Sequence, residues 1–253
     1  MLEICAIASG SNGNCYYIGN ETDAVLIDAG ISTKQILLRM AERELNPLKI
    51  KALFITHEHS DHMRGARVLA KRLQIPVYIT AKTFNNAYKN MRPFYTRFFT
   101  PDSEVEIGEF TVYPVQKNHD AAEPCSFRIK YRDHNIGVFT DIGEVCDNVK
   151  THFNQCNSVF LESNYDEKML WDGHYPWHLK KRVASELGHL SNDQAFSLLE
   201  DHAGENMKYV FLSHLSKENN TPELAMERMQ TLAKRFEIKI ASRYEASEVC
   251  RIL

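Results

Sequence analysis

The sequence predicts an α/β (α+β) protein in which mixed β-sheets are covered by helices on their outer faces. Three observations carry this: β-rich segments open both halves of the chain, helical spacing follows each of them, and the strict strand–helix alternation of a doubly wound fold is missing. With 253 residues, 43% of them hydrophobic, and no linker, repeat or low-complexity tract, the expectation is one domain over residues 1–253.

Residues 2–8 read as a strand, Ser9-Gly10-Ser11-Asn12-Gly13-Asn14 as a turn, and Cys15–Ile18 and Ala24–Ile27 as further strands. Ser32–Leu45 places Ile36, Leu37, Met40 and Leu45 at helical spacing behind a Ser/Thr cap. Lys51–Thr56 is a short apolar strand, Arg64–Leu73 a helix, Pro76–Thr80 a strand and 81–90 helical. Alternation returns at Val105–Ile107 and Phe110–Val115 around Gly108, and Ser126–Tyr131 pairs with Ile136–Thr140 across Asp133-His134-Asn135. The second half repeats the pattern: a helix near 147–154, the strand Ser158–Leu161, helices near 177–187 and 192–202, the strand Tyr209–Leu212, the helix Pro222–Phe236 and closing strands.

Lys+Arg 30 against Asp+Glu 33 gives a formal charge of −3, so any polyanion contact has to come from local patches. No run approaches the roughly twenty apolar residues of a membrane span, and the start, Met-Leu-Glu-Ile-Cys-Ala, has no basic segment leading into an apolar one. A cytoplasmic protein without membrane contact is expected. The six cysteines are scattered with no C-x-x-C pair, which reads as reduced, mostly buried thiols.

The strand Lys51–Thr56 runs into His57-Glu58-His59-Ser60-Asp61-His62, four potential metal ligands within six residues. In an extended segment side chains two apart point the same way, so His57 and His59 can address one metal. The turn into the following helix, opened by Met63, swings Asp61 and His62 towards a second position. A lone histidine here would read as a polar loop with Asp61 as a helix cap; H-x-H-x-D-H behind an apolar strand reads as a metal site. Asp28, Asp141 and His214 each stand directly at the end of an apolar strand, and His119 follows another. Strand ends on one edge of a sheet sandwich converge, which lets residues far apart in sequence gather around an ion.

With this ordered set in place, the chain resembles the metallo-β-lactamase-fold hydrolases over essentially its whole length. The resemblance implies a four-layer αβ/βα sandwich. It also implies one metal on His57, His59 and His119, a second on Asp61, His62 and His214, Asp141 bridging both, and Asp28 orienting the ligand loop by hydrogen bonding. Two divalent ions are expected, zinc first, with manganese or iron as alternatives, and no organic cofactor.

Within that superfamily the chain is similar to the small bacterial YycJ/WalJ-type proteins, through residues 8–15 (Ala-Ser-Gly-Ser-Asn-Gly-Asn-Cys), 161–166 (Leu-Glu-Ser-Asn-Tyr-Asp), 175–177 (Tyr-Pro-Trp) and 188–192 (Gly-His-Leu-Ser-Asn). That likeness implies 5′-to-3′ exonuclease activity, with DNA ends as substrate. Two close metals suit phosphodiester cleavage because they lower the pKa of water, neutralise phosphate charge and stabilise the leaving alkoxide. A hydroxide between the ions would be the nucleophile, with Asp61 and Asp141 fixing it. His189 is the candidate to touch a phosphate or protonate the leaving oxygen, or else simply neighbours the cap of the helix at 192–202.

Residues 82–99 carry Lys82, Lys89, Arg92 and Arg97 with no acid and six aromatic rings between them. They read as a stacking surface for single strands, with Lys82 and Arg92 as substrate contacts, or as an ordinary helix and loop. Lys180-Lys181-Arg182 carries the same two readings. The turn at Ser9–Asn14, through Ser11 and Asn12, either presents N–H groups to a terminal phosphate or is a plain turn; it lacks the P-loop lysine. Asn164 follows a strand as the ligands do and either lines the cleft or starts the next helix. His134, His152, His174, His178 and His202 have no partner at ligand spacing.

The rival function is a small-molecule hydrolase (lactonase, thioesterase or cyclic phosphodiesterase) with the same dinuclear centre. About seventy residues separate Asp141 from His214, too few for the inserted domain of the β-CASP nucleases. A flavodiiron-type centre would place an acid where His59 stands; Glu58 lies between ligands and should point away. Two divalent ions would move the formal charge from −3 to about +1, which weakens acidity as an argument against a nucleic-acid substrate.

Overall fold

The structure is a computed structural model and describes residues 1–252. Strands β1 (Leu2–Ala8), β2 (Cys15–Gly19), β3 (Ala24–Ile27), β4 (Ile50–Phe54), β5 (Val77–Thr80) and β6 (Thr96–Phe99) form one seven-stranded sheet with the closing strand β14 (Cys250–Ile252), in the order β14-β1-β2-β3-β4-β5-β6. A second seven-stranded sheet holds β7 (Val105–Ile107), β8 (Phe110–Gln116), β9 (Cys125–Tyr131), β10 (His134–Phe139), β11 (Ser158–Glu162), β12 (Tyr209–Ser213) and β13 (Glu237–Ile240), in the order β13-β12-β11-β10-β9-β8-β7. Both are mixed: β14 through β3 and β7 through β10 pair antiparallel, β3 through β6 and β10 through β13 parallel.

The layering follows from strands buried on both faces. Along β1, Leu2, Ile4 and Ala6 enter the core between the sheets, while Cys5 and Ile7 enter a core beneath α1 (Thr33–Glu42) and α3 (Ala66–Leu73). The inter-sheet core centres on Phe160, whose ring lies 4.9 Å from those of Tyr16 and Phe211. A third core packs the second sheet against α5 (Asp147–Asn154), α8 (Asn192–His202) and α9 (Pro222–Arg228). Three apolar layers thus separate helix, sheet, sheet and helix, the expected four-layer sandwich.

Several boundaries differ from expectation, each for a local reason. The helix after the H-x-H-x-D-H strand, α2 (Ser60–Met63), starts three residues early because His59 takes the extended N-cap conformation. The helix expected over 81–90 stops as α4 (Ala81–Asn86), where Ala87 turns extended. Residues 96–99 form the edge strand β6 instead of a loop. The helix expected over Pro222–Phe236 divides into α9 and a 3-10 turn at Leu232–Lys234. The helix that one reading of Asn164 starts is α6 (Glu167–Asp172), capped by Asp166, whose side chain accepts the Met169 N–H; it precedes α7 (Trp177–Val183). All six cysteines are free and five are buried. Among the described residues no helix is long and apolar enough to cross a membrane.

Candidate metal centre

The C-terminal ends of β3, β4, β8, β10, β11 and β12 meet at one rim of the sandwich. Three residues immediately past them, Asp28, Asp141 and His214, hold left-handed backbones with φ of 62°, 55° and 56°. For residues other than glycine this costs about 1 kcal/mol or more each and persists only where the surroundings impose it. Gly30 serves the same rim: a Cβ there would sit 1.6 Å from the Asp61 carbonyl oxygen, so only glycine lets the β3 loop close against the ligand loop.

Seven side chains converge there. His57, His59 and His119 form one group of possible donors, and Asp61, His62 and His214 another. His57 Nε2 lies 3.0 Å from His59 Nδ1. His62 Nε2 lies 3.5 Å from Asp61 Oδ2 and 3.3 Å from Asp141 Oδ2. Asp141 Oδ1 faces one nitrogen of each group, at 3.9 Å from His119 Nε2 and 3.6 Å from His214 Nε2.

In four of the five histidines the other ring nitrogen is tied from behind. His57 Nδ1 meets Thr56 Oγ1 at 2.9 Å, His62 Nδ1 meets Asp28 Oδ2 at 2.7 Å, His119 Nδ1 meets the Gly188 carbonyl at 3.0 Å and His214 Nδ1 meets Glu162 Oε1 at 2.9 Å. This is the outer arrangement that orients imidazole donors. It aims His119 Nε2, His214 Nε2 and Asp141 Oδ2 inward, and all three are buried without a hydrogen-bond partner among the described residues. Buried polar atoms left unpaired cost about 1–3 kcal/mol each, and divalent cations would satisfy them; the donor set fits such ions.

Before a cation binds, charge is balanced by protons. Burial would lower His62, but the carboxylates of Asp141, Asp28 and Asp61 outweigh it and hold it well above the ordinary histidine range. Burial likewise opposes protonation of His214, yet Asp141, Asp61 and Glu162 raise it to about 10. His57 and His119 go the other way. Burial and the His62 charge push His57 well below its usual value, and burial brings His119 to about 4. The neutral pair and the protonated pair therefore belong to different donor groups.

Other expected positions fall in several places. His189 stands at the rim with Nδ1 2.8 Å from Glu162 Oε1 and 4.0 Å from Asp141 Oδ1. Asn164 is buried and donates to the His214 carbonyl at 2.8 Å. Ser11 and Asn12 are exposed at the tip of their turn, while its buried members reach the centre. The Ser9 hydroxyl accepts the His214 N–H at 2.8 Å, and Asn14 Nδ2 lies 3.2 Å from His62 Nε2. Lys82 pairs with Glu123 at 2.8 Å, and Arg92 donates to the carbonyls of Ala87 and Asn85; neither is brought to the ligands. Glu58 turns away to accept the Ala122 N–H at 2.9 Å. His134, His152, His174, His178 and His202 lie outside every donor group.

Sequence reasoning missed Glu162, Lys117 and Asp120. Glu162 is fully buried, and its second oxygen accepts the Ile142 N–H at 2.7 Å. Burial would raise its carboxyl, but His189 and His214 win and bring it to about 2. Lys117 is buried and donates to the Thr140 carbonyl at 2.5 Å, behind the Asp141 turn. The signal available for Glu162 and Lys117 was a charged residue at the end of an apolar strand.

Residues 8–214 match the model of the metallo-beta-lactamase superfamily. The chain is 35% identical over 227 residues to exodeoxyribonuclease YycJ of Bacillus anthracis, covering 88% of this chain and 86% of that protein. It is also 35% identical over 224 residues to exodeoxyribonuclease WalJ of Streptococcus pneumoniae, covering 87% and 83%. Among solved structures it is similar to the metallo-beta-lactamase fold protein YhfI of Bacillus subtilis, with a TM-score of 0.74 at 17% identity, over 98% of this chain and all of that one.

Proposed function

The chain belongs to the metallo-beta-lactamase superfamily and is a metal-dependent hydrolase; from that premise we propose that it is a dinuclear phosphodiesterase, a cytoplasmic 5′-to-3′ exonuclease acting on DNA ends. The observation that carries the two-ion reading is Asp141 Oδ1 standing between His119 Nε2 and His214 Nε2. The DNA half of the proposal rests on the two exodeoxyribonucleases to which the chain is 35% identical over most of its length.

In this reading His57, His59 and His119 would hold one ion and Asp61, His62 and His214 the other, with Asp141 available to both. Zinc is the first choice and manganese or iron the alternatives. Ions bound there would lower the pKa of water and neutralise the charge of a phosphate. Asp61 and Asp141 accept hydrogen bonds from the attacking water and so fix its approach. Asp28 keeps the His62 ring in place through Nδ1. Glu162 holds the His189 ring by Nδ1 and would stabilise the imidazolium whose Nε2–H gives a proton to the leaving oxygen.

The test is degradation of 5′-labelled single- and double-stranded DNA and RNA by the metal-loaded protein, with His59→Ala as control. Release of nucleotides from the 5′ end of DNA, lost in the variant, is the expected result. Full metal occupancy with no polymer degraded, but with turnover of a lactone or thioester, would replace this reading by the small-molecule hydrolase.

A further inference from the structure

A cleft of about 410 Å3 opens beside His59 and Asp61, and Asn86, Tyr88 and Arg182 help to wall it. Arg182 is the one cation on that wall. Its Nε and Nη2 lie 2.6 and 2.5 Å from the same oxygen, Asp120 Oδ2. The other oxygen of that carboxylate, Oδ1, is buried without a hydrogen-bond partner among the described residues, 3.2 Å from His119 Nε2 and 4.0 Å from His59 Nε2. One carboxylate therefore stands between the guanidinium and two histidines of the first donor group.

The backbone fixes both ends of this link. Asp120 donates its N–H to the Leu187 carbonyl at 3.0 Å, and the His119 ring meets the Gly188 carbonyl next to it. The loop after α7 is thereby stitched to the segment bearing His119. The neighbouring cations of α7 are occupied elsewhere: Lys180 is buried and donates to the Trp171 carbonyl at 2.6 Å, and Lys181 lies over the Trp177 ring. Arg182 alone of the three reaches the cleft, with its side chain 58% exposed.

An ion pair whose guanidinium side is open to solvent contributes little to stability, so the fork is poorly explained as a structural brace. A guanidinium carries five N–H donors in a rigid plane, and a carboxylate on the Nε and Nη2 edge leaves Nη1 free for a second anion. Charge-assisted contacts of that kind are what position a phosphate.

We propose that Arg182 binds a phosphate group of the substrate in the cleft beside His59, and that Asp120 is the positioning residue that sets the guanidinium there. This rests on the phosphodiesterase reading and deepens it by naming the residues that hold the phosphate.

The test compares wild-type protein, Arg182→Gln, Arg182→Lys, Asp120→Asn and the Asp120→Asn/Arg182→Gln double variant, with bound metal measured for each. Steady-state cleavage of a 5′-labelled single-stranded DNA oligonucleotide gives KM and kcat, and titration with inorganic phosphate gives an affinity independent of turnover. Arg182→Gln is expected to raise KM and weaken phosphate binding at least tenfold with metal content unchanged, and Arg182→Lys to recover part of both. Asp120→Asn should raise KM by a smaller factor, and the double variant should be no worse than Arg182→Gln. DNA cleavage and phosphate binding within twofold of wild type in Arg182→Gln would overturn the inference alone. Asp120 and Arg182 losses that multiply would overturn the positioning role. Phosphate binding that needs Arg182, in a protein that cleaves no phosphodiester, would instead sink the phosphodiesterase reading and leave Arg182 as the phosphate contact.

Discussion

Asp28 Oδ2 and His62 Nδ1 lie 2.7 Å apart, both side chains fully buried, and the same carboxylate accepts the Thr56 N–H and hydroxyl at 2.9 Å each. Asp28 therefore fixes the ligand loop at its root and the His62 ring at its far side. Asp28→Asn should weaken binding of the ion at Asp61, His62 and His214 by about 10- to 100-fold, read by competition with a chromophoric chelator. Asp28→Ala should in addition destabilise the metal-free fold by about 1–3 kcal/mol, because the Thr56 donors lose their acceptor; denaturant unfolding measures this.

Glu162 Oε1 serves two histidines at once, at 2.8 Å from His189 Nδ1 and 2.9 Å from His214 Nδ1. Glu162→Gln keeps the shape but offers both rings a neutral amide in place of an anion. Hydrolytic rate should fall about 10- to 100-fold while the far-ultraviolet circular dichroism stays unchanged. A variant as active as wild type would remove Glu162 from the account.

Metal binding should release protons. His214 stands at about 10 in the folded metal-free protein against an ordinary 6.5, and His62 is raised as well, so both are protonated at neutral pH, whereas a donor imidazole must be neutral. Raised histidine values stabilise the metal-free fold fully below about pH 6.5, and that contribution fades as pH climbs towards about 10. The metal's competitor thus weakens in the same window, and apparent affinity should increase with pH. Calorimetric titration of zinc in buffers of different ionisation enthalpy checks the sign: proton release at pH 7 is expected, and no buffer dependence would contradict it.

Between the sheets, Phe160 is flanked by Tyr16 and Phe211 and is fully buried. Phe160→Ala should cost about 3–5 kcal/mol with bound metal unchanged in the surviving folded protein, as seen by denaturant unfolding and metal analysis. A loss confined to metal content would mean that the core and the centre are coupled more tightly than the layering implies.

The parts of this architecture that could be read from sequence are those with local periodicity or dense ligand spacing. H-x-H-x-D-H announces itself because four donors fall in one short segment. Asp28, Asp141 and His214 could be added because each ends an apolar strand. Glu162 ends one too, but a single acid after Val-Phe-Leu looks like a strand boundary. Only the parallel register that sets Glu162 opposite Ser213 brings it beside His214. Asp120 and Arg182 meet across 62 residues, a distance no spacing rule spans. The division of the helix after Pro222 was hidden for another reason: buried Ala225, Met229, Leu232 and Phe236 keep helical spacing whether the chain continues as α-helix or tightens into a 3-10 turn.

The most direct test of the dinuclear centre is to titrate metal-free protein with zinc while following cleavage of a 5′-labelled DNA strand. Cleavage that climbs to a plateau at two equivalents per chain, and stays absent in His59→Ala at the same zinc, is the expected result. A plateau at one equivalent, or two ions bound without any cleavage, would contradict it.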